Sequence, residues 1–134
     1  MRVMLDTNVL VSGMVFQGPE RQLLETILKN DHALVLCKQT ETEAKMVLLR
    51  KFSVSKKFFK NSLRPFRLER VPLPSRAEIE RACGFMRDPK DAPILAAAIT
   101  ARPDLFVTGD KDFHTPEVKK LIPVQTTSQA LNSL

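Results

Sequence analysis

The chain has 134 residues, 43% of them hydrophobic, and a formal net charge of +6. That length supplies one domain, 1–134, with a single sizeable core, and no run is apolar for long enough to span a membrane. An apolar triplet begins at residue 3, which leaves no room for a secretory leader, so a cytoplasmic protein without membrane attachment is expected.

In chain order, Val3-Met4-Leu5 is the first strand candidate and stops at Asp6-Thr7-Asn8. Short apolar runs that end at a polar turn read as strands buried on both faces, as in parallel sheets. Leu23, Leu24, Ile27 and Leu28 then form a helical stripe, and Leu34-Val35-Leu36 a second strand. Ala44, Val47 and Leu48 mark another helix, with a basic helix or helical pair over 54–66 that Pro65 ends. A weaker strand falls at 68–71. After the turn Pro72-Leu73-Pro74-Ser75, the pair Ser75 and Glu78 fits a capping box for a helix carrying Ile79, Ala82 and Cys83. An Ala-rich helix spans 91–101 and closes before Arg102-Pro103. Leu105-Phe106-Val107 is a strand ending at Thr108-Gly109-Asp110, and Val124 marks a last one. Strands alternating with helices predict an α/β fold with a mainly parallel sheet.

The charge is unevenly spread. Between Lys45 and Arg70 lie nine Lys or Arg residues and one acid, Glu69, so this window carries +8 and the remainder −2. Such a segment points to a polyanionic partner, with Lys51, Lys56, Lys57, Lys60 and Arg64 as phosphate contacts. The chain has neither Tyr nor Trp. Phe52, Phe58, Phe59 and Phe66, interleaved with the cations, therefore read as core rather than as a stacking platform. Cys37 and Cys83 form no CxxC pair and read as buried thiols, and His32 and His114 are too isolated for a zinc site.

The acids carry the chemical signal. Asp6 and Asp110 each follow a strand triplet, and ligands of open parallel sheets bind beyond the carboxyl ends of the strands. Two carboxylates there suit Mg²⁺ or Mn²⁺. Each also has a plainer reading as a turn or cap residue, and Asn8 and Thr7 read as caps of the first helix. Asp88 reads as an N-cap, whereas Asp91 shares a face with Ile94, Leu95 and Ala98 and has no need of a carboxylate there. Glu41 is expected to pair with Lys45. Glu43 borders the apolar stripe without a partner, a place where a cation would stabilise it. Asp112 would project from the same loop as Asp110 to hold metal-bound water or cap a short helix, and Thr108 would orient a carboxylate through its hydroxyl.

Asp6-Thr7-Asn8, Glu43 within a helix, Asp88-Pro-Lys-Asp91 with its Ala-rich continuation, and Thr108-Gly-Asp110-Lys-Asp112-Phe together resemble the four acidic motifs of PIN-domain nucleases. The likeness covers essentially the whole chain and is greatest to toxins of bacterial and archaeal toxin–antitoxin pairs, similar to virulence-associated protein C. It implies a three-layer α/β/α sandwich around a mainly parallel sheet of about five strands. It also implies Mg²⁺- or Mn²⁺-dependent cleavage of RNA, an antitoxin partner and a homodimer. Asp6, Glu43, Asp91 and Asp110 match the family acids, with Glu41 a rival for the second motif. Asp110 or Asp112 would accept the proton of the attacking water.

Rival functions fit less well. A phosphoaspartate phosphatase would need a second Asp where Asn8 stands. A receiver domain would need an Asp after the middle strand, where Cys37-Lys38 stand. A catalytically silent module that holds RNA or a partner protein has no reason to gather four acids.

Overall fold

The computed structural model describes residues 1–134, and its chain alternates strands with helices as the apolar triplets predict. The elements are β1 (Arg2–Leu5), α1 (Thr7–Val15), α2 (Pro19–Lys29), β2 (Ala33–Cys37), α3 (Lys38–Phe52) and α4 (Lys56–Leu63). There follow β3 (Arg67–Val71), α5 (Arg76–Cys83), α6 (Ala92–Ala101), β4 (Leu105–Val107), α7 (Pro116–Lys119), β5 (Val124–Gln125) and α8 (Thr127–Ser133). Short 3₁₀ turns at Pro89–Asp91 and Lys111–Phe113 precede α6 and α7.

The five strands are all parallel, in the order β3-β2-β1-β4-β5. Side chains alternate across each strand, so one face of the sheet receives Val3, Leu5, Leu34, Leu36, Leu105 and Val107. That face packs against α1, α2, α3, α4 and α8. Met4, Val35, Cys37 and Phe106 point the other way and pack against α5, α6 and α7. The result is the three-layer α/β/α sandwich. Phe106 and Phe113 meet edge to face at 5.1 Å between ring centres, anchoring the turn after β4 to the sheet.

This strand order fixes the functional edge. The chain moves outward from β1 through β2 to β3, then returns to the other side of β1 for β4 and β5. The direction therefore reverses between β1 and β4, the switch point at whose carboxyl edge open α/β sheets hold their ligands. Asp6 follows β1 and Asp110 lies just beyond β4, one on each side of that crevice.

Local expectations hold with some corrections. The capping box of Ser75 and Glu78 is present at α5. The Ala-rich helix begins one residue later than expected, because Asp88 caps the 3₁₀ turn by accepting from the Lys90 amide. The basic helix is shorter than 54–66, with Ser55 as its N-cap. Cys37 is buried, but Cys83 is exposed at the end of α5. Phe59 is buried and Phe52 and Phe66 partly so, whereas Phe58 is about half exposed. No helix is long and apolar enough to cross a membrane.

Candidate active site

Thr7 and Asn8 lie inside α1 and do not cap it, whereas Asp6 sits where β1 gives way to α1 and caps that helix, the plainer of its two readings. Its Oδ1 accepts the Val9 amide at 2.9 Å, satisfying one of the free N–H groups of the first turn. Its other oxygen accepts from the hydroxyl of Thr108, which is fully buried. The same hydroxyl oxygen accepts the Asp110 amide at 3.0 Å, so Thr108 joins both walls of the crevice. Asp110 in turn accepts the Asp112 amide at 2.9 Å and caps the turn that follows.

The third acid stands immediately before α6. Asp91 ends the 3₁₀ turn and its side chain caps nothing, unlike Asp88 three residues earlier. Carboxylate oxygens of Asp91, Asp110 and Asp112 lie within 4.8 Å of one another, while Asp6 and Glu43 stand outside that group. Glu43 is not unpartnered: it accepts from Thr7 Oγ1 at 2.9 Å and from Gln39 Nε2 at 2.6 Å. Glu41 faces away and pairs with Arg70 at 3.0 Å rather than with Lys45, which lies over the Phe59 ring instead. Of the two rivals, Glu43 is therefore the one tied to α1 beside Asp6.

The electrostatics are those of carboxylates crowded without a counter-charge. Burial pushes the Asp6 carboxyl above its ordinary value, opposed by its hydrogen bonds from Thr108 and Val9 and reinforced by the charge of Asp110. Asp91 is pushed up to about 6, first by burial and then by Asp110, Asp88, Asp112 and Glu43. Arg87 Nε, 3.8 Å from Asp112 and largely exposed, offers little relief. A donor set made only of carboxylate oxygens, carrying uncompensated charge, fits a hard divalent cation. No thiol or imidazole competes for that role. Cys37 bonds Thr40, and His114 Nε2 meets the Thr108 carbonyl at 2.7 Å.

A proton and a cation would therefore compete at Asp91. For one displaced proton at a pKa of about 6, Mn²⁺ should bind roughly tenfold more weakly at pH 5 than at pH 7. Asp91→Asn should flatten the profile. Calorimetric titration at both pH values checks this, and a flat wild-type profile would remove Asp91 from the ligand set.

His114 was dismissed by its isolation in sequence, yet it braces the site. A carbonyl only accepts, so the ring carries its proton on Nε2 and donates to Thr108 O, holding the residue that aligns Asp6 and Asp110. His114→Ala should weaken Mn²⁺ binding by about tenfold with little change in melting temperature, and His114→Gln, which restores a donor, should recover most of it. Equal affinities in all three proteins would reduce His114 to a surface contact.

Beside the acids lies an open cleft of about 420 Å³, lined by Asp6, Asn8, Val9, Ser12, Glu20, Gly109, Asp110 and Thr127. Sequence reasoning missed Ser12, Glu20 and Thr127, which only the packing of α1, α2 and α8 brings together. The expected phosphate contacts Lys51, Lys56, Lys57, Lys60 and Arg64 do not line it. They are exposed on and beside α4, next to a separate groove of about 320 Å³ that includes Met14, Leu24, Leu28, Phe58, Leu63 and Phe66.

The sequence matches the PIN domain family over residues 2–112. No curated protein matches it. Among solved structures, PAE2754 from Pyrobaculum aerophilum superposes with a TM-score of 0.70 at 14% identity, over 99% of this chain and 94% of that one. VapBC2 from Rickettsia felis, bound to a DNA fragment from their promoter, gives 0.63 at 17% identity over 94% and 98%. FitAcB from Neisseria gonorrhoeae gives 0.61 at 19% identity over 94% and 98%. At such identities the structural likeness is one of fold.

Proposed function

The chain belongs to the PIN domain family, and from that membership and its crowded acids we propose that it is a metal-dependent endoribonuclease, the toxin of a toxin–antitoxin pair. The observation that carries this reading is the meeting of Asp91, Asp110 and Asp112 within 4.8 Å at the switch point, where Asp6 closes the crevice from β1. Its partners would be an RNA substrate, an antitoxin and a second copy of the chain. The fold likeness to VapBC2 and FitAcB agrees with such a pair.

Asp6, Asp91 and Asp110 would hold Mg²⁺ or Mn²⁺, with Glu43 and Asp112 completing the shell. When bound, the cation supplies Lewis acidity to the attacking water and to the scissile phosphate. Thr108 fixes the Asp6 carboxylate and the Asp110 main chain relative to each other, so the ligands need little reorganisation. Glu43 is aimed by Thr7 and Gln39 from two helices. Asp112 accepts no hydrogen bond, and the exposed Arg87 at 3.8 Å holds it only weakly, so the oxygen not turned to the cation would take the proton of the attacking water.

The test is cleavage of single-stranded RNA by the purified chain with Mn²⁺, with EDTA, and by Asp6→Asn. Cleavage that requires the metal and disappears in the variant supports the nuclease. An intact, folded chain that binds RNA and never cuts it would make the protein a silent binding module.

A further inference from the structure

We infer that the cleft beside the acids is a nucleobase subsite that selects guanine next to the scissile phosphate, with Glu20 as the specificity-determining residue; this rests on the nuclease reading above. Glu20 sits in the first turn of α2, lines the cleft, and has no ion pair or hydrogen-bond partner. An acid in a first turn interacts well with the helix dipole, and that alone would account for its presence. It does not account for its place in the cleft, which the packing of α1 on α2 fixes.

Gly13 lets the two helices touch: a Cβ there would meet Leu24 Cδ1 at 2.5 Å and the Glu20 carbonyl at 3.0 Å. Arg21, the residue after Glu20, donates to the carbonyls of Gly13 at 3.1 Å and Met14 at 2.8 Å, locking the first turn of α2 to the end of α1. The wall bearing Glu20 is thus held from both sides.

The dimensions suit one nucleotide. Ser12 lies six residues beyond Asp6, about 9 Å down the axis of α1, comparable to the reach from a phosphate to the far edge of its base. With the scissile phosphate drawn to a cation that Asp6 and Asp110 would hold, the base would lie toward Ser12 and Glu20. A carboxylate repels a second phosphate but accepts hydrogen bonds from a base. No aromatic ring lines the cleft, and Val9 is its one apolar side chain, so recognition falls to hydrogen bonds rather than stacking.

An ionised carboxylate only accepts. Guanine alone among the four bases presents two adjacent donors, N1–H and N2–H, on its Watson–Crick edge, and these match Glu20 in a bidentate pair. The neighbouring O6 acceptor suits the Ser12 or Thr127 hydroxyl or the Asn8 amide. Uracil offers a single donor between two carbonyls that face the carboxylate unfavourably, while cytosine and adenine offer one amino group each.

The experiment pairs cleavage with binding. Single-stranded RNAs differing only at the nucleotide beside the cut are cleaved with Mn²⁺, and guanosine and uridine monophosphates are titrated by NMR, using wild type and Glu20→Gln. The wild type should prefer guanine by about tenfold or more in both assays, as a bidentate base contact provides. Glu20→Gln should collapse that ratio while its fold and Mn²⁺ affinity are retained. Cleavage without base preference, or a preference that survives in Glu20→Gln, overturns the inference and leaves the nuclease standing. A fall in Mn²⁺ affinity with the preference unchanged would make Glu20 a metal ligand and also overturn it. A chain that cuts no RNA yet binds the guanosine nucleotide selectively through Glu20 would uphold the subsite and sink the nuclease reading.

Discussion

Asp6→Asn should lower RNA cleavage by about a thousandfold or more, and at the same time make the metal-free protein more stable at neutral pH. The two effects have one origin. Asp6 is buried, and its carboxyl is pushed up by desolvation that its hydrogen bonds only partly oppose, so its ionised form costs folding energy. A folded-state pKa above the unfolded value means that the native chain holds its proton more tightly. Stability from this group is present at low pH and is lost as pH rises past the ordinary value of 3.8. Asn removes the charge and keeps the frame. Its Oδ1 can still accept the Val9 amide, and its Nδ2 can donate to the free lone pair of Thr108 Oγ1; the Thr108 hydroxyl proton then loses its carboxylate acceptor, which offsets part of the gain. The expected pattern is a higher melting temperature without metal, a smaller rise on adding Mn²⁺, and no cleavage. Wild-type cleavage by a folded Asp6→Asn protein would exclude Asp6 from the chemistry.

That substitution also shows how far the sequence alone could go. The apolar triplets at β1, β2 and β4 are legible because both faces of a central parallel strand are buried, and each holds fully buried side chains. β3 is faint for the opposite reason. It is an edge strand carrying Arg67, Glu69 and Arg70, and Glu69 is tied to Arg2 of β1 by a two-point ion pair that no local pattern announces. The strand order follows from neither, yet it is what turns two separated aspartates into one crevice.

Within the site, the acids were visible because each follows a strand or shares a face with apolar neighbours. Their supports were only partly so: Thr108 was expected to orient a carboxylate, without its partner being identifiable, and Thr7 was not expected to reach Glu43. Thr7 reaches Glu43 across 36 positions, and Thr108 reaches Asp6 across 102, so nothing in a local window marks either pair. His114 was discounted for standing alone among ligand residues, whereas its partner is a main-chain carbonyl that any residue could have supplied. Glu41 was matched to Lys45 by helical spacing, but Arg70 approaches from β3 and takes it, a tertiary contact overriding a weak local preference.

The basic segment around α4 should govern how tightly RNA is held without governing how fast it is cut. Lys51, Lys56, Lys57, Lys60 and Arg64 are exposed, and none lines the cleft beside the acids. Along α3 alone, Lys51 lies about 12 Å beyond Glu43, too far to touch the phosphate under attack. Cations so placed would meet phosphates further along the strand, positioning the RNA without carrying base specificity. If all of them make such contacts, affinity for a single strand should fall by roughly a hundredfold between 50 and 200 mM salt, since each contact contributes about −0.7 to the logarithmic slope. Lys56→Gln with Lys57→Gln should reduce that slope by about 1.4 and raise KM, because binding energy spent equally on ground and transition states leaves kcat alone. Fluorescence-anisotropy titrations across salt, alongside cleavage kinetics, separate the two quantities. A salt-insensitive affinity, or an unchanged slope in the double variant, would mean that RNA reaches the acids by another face and that the charge of α4 serves a different polyanion.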